Sequence, residues 1–415
     1  EYERLSLNKN TLSAACYDKV SKIIEHFAKI ASWELVFDNC STNKTLLGAK
    51  DIFGNSISLE PGCQIELSLI PQKNIVDIDI HSSKILNLLD KIAKIYDVIF
   101  LGYGINPKSA ADSIQLLNKE RYKIMNDYLP YCKNGELCPN MMRKTAGIQV
   151  NIDYKNKKDA YLKLKFFNLI SPFMMGLCAN SPVENDFLTD KKSNRANAWL
   201  FTGENRCNFF YKNIFNNGIF KKFNHSDLFK NYIKEVLNVP MVFIERENKV
   251  IPIKGNITFD EFMKKGYMGY FATINDYMLH QSLCFPDIRL KNYIEIRNHD
   301  SADYKTALAL CAFYKGLSET DFEENLKTFN FIDFNKIDEY NKLSIDNGLD
   351  FTVKDNIVGW DVITKLVNLS KENLSSKERA YLEPILDIVQ KRKTKADILI
   401  DYDIETAREL VEFLN

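Results

Sequence analysis

Short segments in which apolar and polar residues alternate are the main pattern in the first 300 positions. Residues 62–69 read GCQIELSL, so Gln64, Glu66 and Ser68 share one face of a strand and apolar residues take the other. The same alternation occurs at residues 1–4 (EYER), 147–153 (GIQVNID) and 293–297 (YIEIR). The polar faces of these three segments carry Glu1, Glu3, Gln149, Asn151, Asp153, Glu295 and Arg297. The pattern predicts four strands that each have one apolar and one polar face.

The polar faces allow two interpretations. An antiparallel sheet commonly turns one face to water, and such a face needs no chemistry. A solvated face normally carries lysine and threonine, however, and these four segments contain no lysine. Several carboxylates gathered in one cavity repel one another and take up protons unless cations are present. Because Mg²⁺ prefers oxygen ligands and bridges substrate phosphates, the second interpretation is a cleft for Mg-ATP chemistry.

Helical spacing dominates elsewhere in the chain. Residues 77–96 and 301–317 have apolar positions three or four apart, and each segment is predicted as a helix. The longest apolar stretch, 166–183, is interrupted by polar residues and two prolines, which favours a buried helix over a membrane span. After residue 318 the pattern is helical and polar. We therefore predict an α+β catalytic domain over residues 1–318 and a helical C-terminal region over 319–415 packed on it.

Three local signals refine the C-terminal region. Ser375 and Glu378 have the spacing of a capping box before a predicted helix. Pro384 is expected in the second or third turn of that helix, where it would produce a kink. The last helix is predicted to begin near Asp403.

Composition and charge exclude several classes of protein. The 415 residues are 45 % hydrophobic and 27 % charged, as in ordinary folded proteins. The chain has 55 basic and 55 acidic residues, so no global positive field is available for nucleic acid, and neither a nucleic-acid nor a membrane partner is predicted. Nine scattered cysteines without a CxxC pair favour free thiols in a reducing compartment. Because no basic segment precedes an apolar run near residue 1, no signal peptide is predicted and a cytoplasmic location is expected. The sequence leaves the oligomeric state open between monomer and homodimer.

Known catalytic motifs are absent from the sequence. It contains no GxxxxGK[ST], HExxH, GxSxG or kinase signature. The GYGINP segment has Pro107 where a dinucleotide fingerprint needs its third glycine. The five histidines are dispersed and are interpreted as structural, with a functional role left open for His280 and His299.

Several longer blocks occur in a fixed order along the chain. They are LEPGCQIELS at 59–68, KERYKIMNDYLP at 119–130, QVNID at 149–153, ANSP at 179–182 and RLKNYIEIR at 289–297. EYER precedes them, and Arg195, Trp199 and Arg206 have a matching spacing between the last two blocks. In this order the blocks resemble those of the plant-type glutamate–cysteine ligases, a family also found in many bacteria. The resemblance extends to about residue 317 and is loose in the helical C-terminal region.

The resemblance implies a glutamine-synthetase-like fold, in which a curved antiparallel sheet forms an active-site funnel. It implies an ATP-dependent ligase that phosphorylates the side-chain carboxylate of glutamate and lets the amine of cysteine attack the acyl phosphate. Two or three Mg²⁺ ions would accompany ATP. The positions that match acidic residues of the family, and are implied metal ligands, are Glu1, Glu3, Glu60, Glu66 and Glu295.

Further site residues follow from the same resemblance. Gln149 and Asn151 match nucleotide or metal contacts, and Arg297 would face the transferring phosphoryl group, where a guanidinium stabilises negative charge. With Arg297, the catalytic set would include Glu295 and Arg206. The residues implied in substrate binding are Thr145, Arg195, Trp199 and Arg206.

Alternatives remain for several of these residues. Glu60 precedes Pro61-Gly62 and is also explained as a turn residue. Arg195 and Arg206 are also explained as surface ion pairs, and residues 180–182 as a helix stop. The sequence departs from the family at 200–206, where LFTGENR replaces three aspartates by Phe201, Gly203 and Asn205. It departs again at 298–302, where NHDSA replaces GADGG. Another amine acceptor, or a non-catalytic relative that senses nucleotide or amino acid, is therefore an alternative to cysteine ligation.

Overall fold

The computed structural model describes residues 1–38, 44–207 and 227–414. Within these residues, nine strands form one antiparallel sheet, namely β1 (Tyr2–Asn8), β2 (Glu34–Phe37), β3 (Leu46–Lys50), β4 (Ser56–Leu59), β5 (Ile65–Ser68), β6 (Val98–Leu101), β7 (Gly147–Ile152), β12 (Ile288–Leu290) and β13 (Ile294–Asp300). Their order in the sheet is β12-β13-β7-β1-β5-β4-β3-β2, and β6 also pairs with β1. Three small hairpins are formed by β8 (Val183–Glu184) with β9 (Phe187–Leu188), β10 (Phe243–Arg246) with β11 (Lys249–Pro252), and β14 (Thr352–Lys354) with β15 (Ile357–Val358).

Helices cover the apolar face of the sheet and make up most of the C-terminal region. Up to residue 318 they are α1 (Tyr17–Ala31), α2 (Ile75–Ile95), α3 (Glu120–Tyr128), α4 (Cys138–Lys144), α5 (Lys157–Leu177), α6 (Asn194–Leu200), α7 (Glu204–Cys207), α8 (Leu228–Leu237), α9 (Phe259–Lys265), α10 (Ile274–Ser282) and α11 (Tyr304–Ser318). Beyond it they are α12 (Phe322–Thr328), α13 (Ile337–Asn347), α14 (Gly359–Glu372), α15 (Ser376–Arg379), α16 (Glu383–Lys391), α17 (Lys395–Asp401) and α18 (Ala407–Leu414). The predicted α+β class with a large antiparallel sheet and a helical C-terminal region is confirmed.

The alternating segments form strands because their apolar faces pack on helices. Ile148 and Val150 of β7 lie in one hydrophobic cluster with α5, whereas Ile65 and Leu67 of β5 lie in a second cluster with α1 and α2. The predicted strand at 62–69 is shorter in the structure, since residues before Ile65 form a turn. The predicted strand at 293–297 is longer, and it continues to Asp300 past a register shift between Ile296 and His299.

The predicted helices are present, with different ends. The segment at 77–96 begins earlier, because the Asn74 side chain accepts a hydrogen bond from the Asp77 N–H and caps α2. The apolar stretch at 166–183 ends as a helix at Leu177, and α5 is almost entirely buried in its second half. No helix in the described part of the chain is long and apolar enough to cross a membrane.

Three local predictions in the C-terminal region need correction. Ser375 does cap a helix, but α15 has only four residues and a 3-10 turn separates it from α16. Pro384 therefore lies in the first turn of α16, where proline is tolerated and produces no kink. The last helix begins at Ala407 and not near Asp403.

The C-terminal region shares its core with the rest of the protein. One hydrophobic cluster contains Phe166 and Phe167 of α5, Tyr314 of α11, Phe322 of α12 and Trp360 of α14. The Phe322 ring centroid lies 5.5 Å from that of Phe166 and 5.7 Å from that of Phe167. The boundary near residue 318 stays a prediction, and the structure shows no separation of the cores on its two sides within the described residues.

Replacing Phe322 tests whether the two regions unfold together. We expect Phe322→Ala to lower the free energy of unfolding by about 3 kcal/mol, because the truncation leaves a cavity in the shared core. Chemical denaturation should show one transition that moves as a whole. Phe187→Ala is the control, since that ring is 54 % exposed and its loss should change stability by less than about 0.5 kcal/mol. A second, unshifted transition would show that the regions are independent.

Candidate active site

A cavity of about 260 Å³ lies against the polar face of the central sheet. Its wall includes polar residues from all four segments that the alternation singled out, namely Glu1, Glu3, Glu66, Gln149, Glu295 and Arg297. The strands β5, β1, β7 and β13 are neighbours in the sheet, which is why their polar faces meet. The structure thus brings part of each polar face to one cavity.

Carboxylates occupy the side of the cavity formed by β1, β5 and the turn before β5. Burial raises the pKa of Glu3, and it raises the pKa of Glu60 to about 7 with help from the neighbouring Glu3 charge. Burial, followed by the charge of Glu60, holds the pKa of Glu66 well above its ordinary value. The side-chain amide of Gln149 lies between two of these groups, with Nε2 at 3.3 Å from Glu3 Oε1 and 3.4 Å from Glu66 Oε2. These carboxylates require protons or a cation.

The turn at residues 60–64 places Glu60 at the cavity. The Glu60 N–H donates to the Gln64 carbonyl at 2.9 Å, and the Cys63 N–H donates to the Glu60 carbonyl at 2.9 Å. Cys63 has a φ of +63°, and a Cβ on Gly62 would lie 2.2 Å from the Arg143 carbonyl oxygen. Glu60 is therefore a turn residue whose side chain also lines the cavity.

Cationic side chains occupy the opposite side. Glu295 is 1 % exposed, and its carboxylate binds Arg289 Nε at 2.6 Å, Lys291 Nζ at 3.0 Å and Arg297 Nη1 at 3.2 Å. Burial alone would raise the pKa of Glu295, but Arg297 and Arg289 outweigh it and lower that pKa. Its oxygens are paired with these three cations, so Glu295 positions the two arginines. The expected role of Glu295 as a metal ligand stays a prediction.

Arg297 is held between two aromatic rings. Its guanidinium carbon lies 5.3 Å from the Trp199 ring centroid and 5.9 Å from that of Phe285. Arg195 lies behind this wall, is 4 % exposed and donates from Nη2 to the Arg297 carbonyl at 2.9 Å. The interpretation of Arg195 as a surface ion pair is therefore wrong. Thr145 lines the cavity of about 260 Å³, here called the main cavity, although its hydroxyl donates to the Met141 carbonyl at 2.7 Å.

Two residues expected at the site lie outside the cavity wall. Arg206 is 2 % exposed, and its guanidinium donates to the carbonyls of Leu283, at 3.0 Å, and Pro240. Arg206 therefore stabilises the packing of these segments. This position fits neither the expected catalytic and substrate-binding role nor a surface ion pair. Asn151 lies opposite Glu295 in the β7–β13 register, but its side chain is exposed.

The two histidines left open are buried structural residues. His299 Nδ1 lies 3.0 Å from the Ile148 carbonyl and Nε2 lies 2.7 Å from the Tyr314 hydroxyl. His280 Nε2 lies 2.9 Å from the Val236 carbonyl. Burial lowers the pKa of both rings to about 4, so both are neutral at pH 7. The eight cysteines in the described residues are free, as predicted, and Cys40 lies outside those residues.

Sequence reasoning assigned no role to several residues of the wall, namely Arg121, Tyr122, Phe285, Arg289 and Lys291. Arg289 pairs directly with Glu295 across β12 and β13. The RLK at 289–291 alternates in phase with the EIR at 295–297, and that cross-strand signal could have identified both cations. Arg121 and Tyr122 lie on α3, where the strand alternation gives no information.

A complete metal site is not formed by protein groups alone. In the described ranges, no three His, Cys, Asp or Glu side chains come together as a ready-made ligand cluster. The acidic residues line the cavity separately. They fit a cation that takes its remaining ligands from water and substrate, which is how Mg²⁺ is usually bound.

Comparisons with known proteins identify the family of this chain. A family profile described as glutamate-cysteine ligase family 2 matches residues 1–413. The chain belongs to this family. It is therefore an amide-bond-forming ligase, as the sequence analysis predicted.

Curated relatives align over almost the whole of the ligase. The chloroplastic glutamate–cysteine ligase of Solanum lycopersicum is 29 % identical over 413 residues, which are 97 % of this chain and 75 % of the relative. The chloroplastic enzyme of Arabidopsis thaliana gives the same identity and coverage. Ligase B of Oryza sativa subsp. japonica is 29 % identical over 97 % of this chain and 79 % of its own.

A solved structure supports the fold. The bifunctional glutathione synthetase from Pasteurella multocida superposes with a TM-score of 0.50 at 12 % identity. The match covers 95 % of the ligase and 53 % of that chain, so the ligase spans about half the length of the bacterial protein.

The relatives also correct one prediction. Free cysteines and the sequence near residue 1 predicted a cytoplasmic location. The matched plant enzymes are named as chloroplastic, and this finding contradicts the prediction.

Glu60 should make the stability of the metal-free ligase depend on pH. Its folded pKa of about 7 exceeds the ordinary 4.5, so the folded state binds the proton more tightly and stability falls as pH rises from about 4.5 to about 7. Glu60→Gln removes this loss and should raise the free energy of unfolding by about 3 kcal/mol at pH 8. The gain should shrink strongly at pH 5. Denaturation in EDTA measures it, with the exposed Glu34→Gln as the control. An equal gain at both pH values would contradict the assignment.

Proposed function

We propose that the ligase uses Mg-ATP to join the γ-carboxylate of L-glutamate to the amine of L-cysteine, the first step of glutathione biosynthesis. The observation that carries the proposal is one cavity with carboxylates on one side and arginines on the other, in a chain of this family. Such a cavity suits an anionic nucleotide that brings its own cations. We take the two amino-acid substrates, glutamate and cysteine, from the names of the relatives.

The proposed chemistry has two steps. A γ-carboxylate oxygen of glutamate attacks the γ-phosphorus of ATP, the bond from that phosphorus to the β–γ bridging oxygen breaks, and ADP leaves. The cysteine nitrogen then attacks the acyl carbon of γ-glutamyl phosphate, inorganic phosphate leaves, and the nitrogen gives up a proton to solvent. No covalent enzyme intermediate is needed, which agrees with the absence of a nucleophile motif.

The acidic side of the cavity would hold two or three Mg²⁺ ions. The residues we propose as ligands are Glu1, Glu3, Glu60 and Glu66 on this side and Glu295 across the cavity. The raised pKa values of Glu3, Glu60 and Glu66 support this, because a bound cation would relieve both burial and mutual repulsion. Gln149 is proposed to contact the nucleotide or one of these ions. Magnesium would neutralise the phosphates and the attacking carboxylate when they approach each other.

The cationic side of the cavity would stabilise the negative charge on the phosphoryl group that is transferred. Arg297 is fixed by Glu295 and by the rings of Trp199 and Phe285, so its guanidinium needs little reorganisation to bind a phosphoryl group. Arg195 and Trp199 would contact the substrate next to Arg297. Thr145 would contact glutamate from the loop before β7.

Measuring ADP release tests the reaction. We expect ADP to form with Mg-ATP and glutamate when cysteine is added, together with stoichiometric γ-glutamylcysteine. Omitting magnesium or glutamate should abolish the release, because the acyl phosphate cannot form. Stimulation by a different amine alone would keep the mechanism and change the acceptor. A folded protein that releases no ADP with any amine would contradict the proposal and favour a sensor.

Removing one acidic group tests the magnesium assignment. Glu66→Gln should raise the Mg²⁺ concentration for half-maximal activity at least about 10-fold, since second-sphere and ligand changes commonly cost that much in metal affinity. The KM for cysteine should change little. Glu34→Gln, an exposed change on β2, serves as the control. An unchanged magnesium dependence would show that Glu66 binds no metal.

A further inference from the structure

Asp300 is a buried carboxylate at the end of β13 that has no part in the proposed reaction. It is 2 % exposed. The register shift after Ile296 reverses the alternation of the strand, since His299 lies on the helix-covered side, with Nε2 at 2.7 Å from the Tyr314 hydroxyl of α11. Asp300 therefore takes the face of the sheet that carries Arg297.

Three donors from two segments converge on the Asp300 carboxylate. Oδ2 accepts from the Asn180 N–H at 2.9 Å and from the Ser181 hydroxyl at 2.6 Å, and Oδ1 accepts from the Ser193 hydroxyl at 2.8 Å. Burial raises the pKa of Asp300, whereas the charge of Arg195 and these hydrogen bonds oppose the rise. A buried carboxylate is costly unless it is paired and hydrogen-bonded, and Asp300 has both kinds of partner.

The GYGINP segment leaves the room for this carboxylate. A Cβ on Gly104 would lie 2.6 Å from Asp300 Cγ and 2.7 Å from Oδ2. The Gly104 N–H donates to the Asn180 carbonyl at 3.1 Å, which holds the segment against residues 179–182. The ANSP and GYGINP motifs, to which the proposed reaction gives no role, therefore meet at Asp300.

The hydroxyls that donate to Asp300 also hold the start of α6. Ser193 Oγ accepts from the Ala196 N–H at 3.1 Å and caps this helix. Ser181 Oγ accepts from the Arg195 N–H at 3.2 Å. The first turn of α6 is thus tied to the carboxylate through two serines.

Helix α6 in turn holds Arg297, the proposed contact of the transferred phosphoryl group. Arg195 Nη2 donates to the Arg297 carbonyl at 2.9 Å, and the Trp199 ring centroid lies 5.3 Å from the Arg297 guanidinium carbon. Burial lowers the pKa of Arg195, and the charge of Asp300 is the largest of those that oppose this change. Asp300 therefore acts on Arg297 through one helix, by fixing its first turn and by compensating the charge of Arg195.

We infer that Asp300 is a positioning residue of the ligase, which holds Arg195 and Trp199 where they fix Arg297. The inference rests on the proposed function, because it uses the role that Arg297 has there. Asp300 itself does not line the main cavity. Its loss should therefore slow the phosphoryl transfer much more than it weakens the binding of Mg-ATP.

Asp300→Asn tests the inference, because an amide nitrogen cannot accept from a serine hydroxyl or a backbone N–H. We expect kcat to fall about 30-fold, since a small misplacement of a catalytic group can cost up to about 100-fold. The KM for Mg-ATP should change less than about threefold. Ser193→Ala breaks only one of the three links and should lower kcat about fivefold. The double variant should be no slower than Asp300→Asn alone, because both changes break the same connection.

Glu378→Gln is the matched control. Glu378 is also a buried carboxylate, 7 % exposed, that accepts from a serine hydroxyl and a backbone N–H, those of Ser375 and Ile75. Neither of these partners lines the main cavity. The control should leave kcat within about twofold of the wild type even if it lowers the unfolding temperature.

The fluorescence of Trp199 gives a second readout that general destabilisation does not move. It is measured as the difference in emission between each protein and its Trp199→Phe counterpart, and it depends on the charges and the exposure around the indole. We expect this difference spectrum to change in Asp300→Asn and in Ser193→Ala, and to stay unchanged in Glu378→Gln.

The outcomes separate this inference from the proposed function. An unchanged kcat in a folded Asp300→Asn protein, an equal loss in Glu378→Gln, or an unchanged Trp199 spectrum would overturn the inference. If Asp300→Asn does not fold, Ser193→Ala decides by the same two readouts. If the wild type releases no ADP with any amine, the proposed function fails and the Trp199 spectrum alone decides: a change confined to the Asp300 and Ser193 variants supports the positioning role, and no change overturns it.

Discussion

Glu295 lies at the centre of an ion cluster in which one buried carboxylate compensates three cations. Arg289 reaches it from the neighbouring strand, and Lys291 and Arg297 reach it from either side along the chain. Burying a carboxylate is costly unless it is paired and hydrogen-bonded, and here both oxygens are paired. The cluster therefore fixes where positive charge stands in the cavity. The position of Arg297, and through its carbonyl that of Arg195, depends on it.

The sheet separates charge across the cavity. Carboxylates from β1, β5 and the turn at Glu60 face the cations of β12 and β13, with Gln149 of β7 between them. Burial raises the pKa of the carboxylates on the first side because nearby cations do not outweigh it, whereas three paired cations lower the pKa of Glu295. The same residue type thus serves two purposes. One carboxylate positions arginines, and the others are available to a bound cation.

The C-terminal region packs behind the site, although it is remote from the sheet in sequence. Phe322 packs on α5 in the main core, and Asn341 of α13 lines a small space of about 20 Å³ together with Arg297. Phe173 of α5 and Tyr340 of α13 have ring centroids 5.8 Å apart, which holds these helices together. Changes in the C-terminal core can therefore alter this small space without touching the central sheet.

The strands, the buried helices and the family could be predicted from the amino-acid sequence, because alternation, helical spacing and ordered blocks are local properties. Glu66, Gln149 and Arg297 were identifiable for that reason, since strand phase and motif agree at each position. The folded structure was needed to show that Glu295 forms ion pairs with three cations and that Arg206 donates hydrogen bonds to backbone carbonyls. Both outcomes depend on which groups meet across strands or from distant segments, which spacing along the chain does not record. The same holds for Arg121 on a helix and for Asn341, which the packing of α13 brings to the same small space as Asn298.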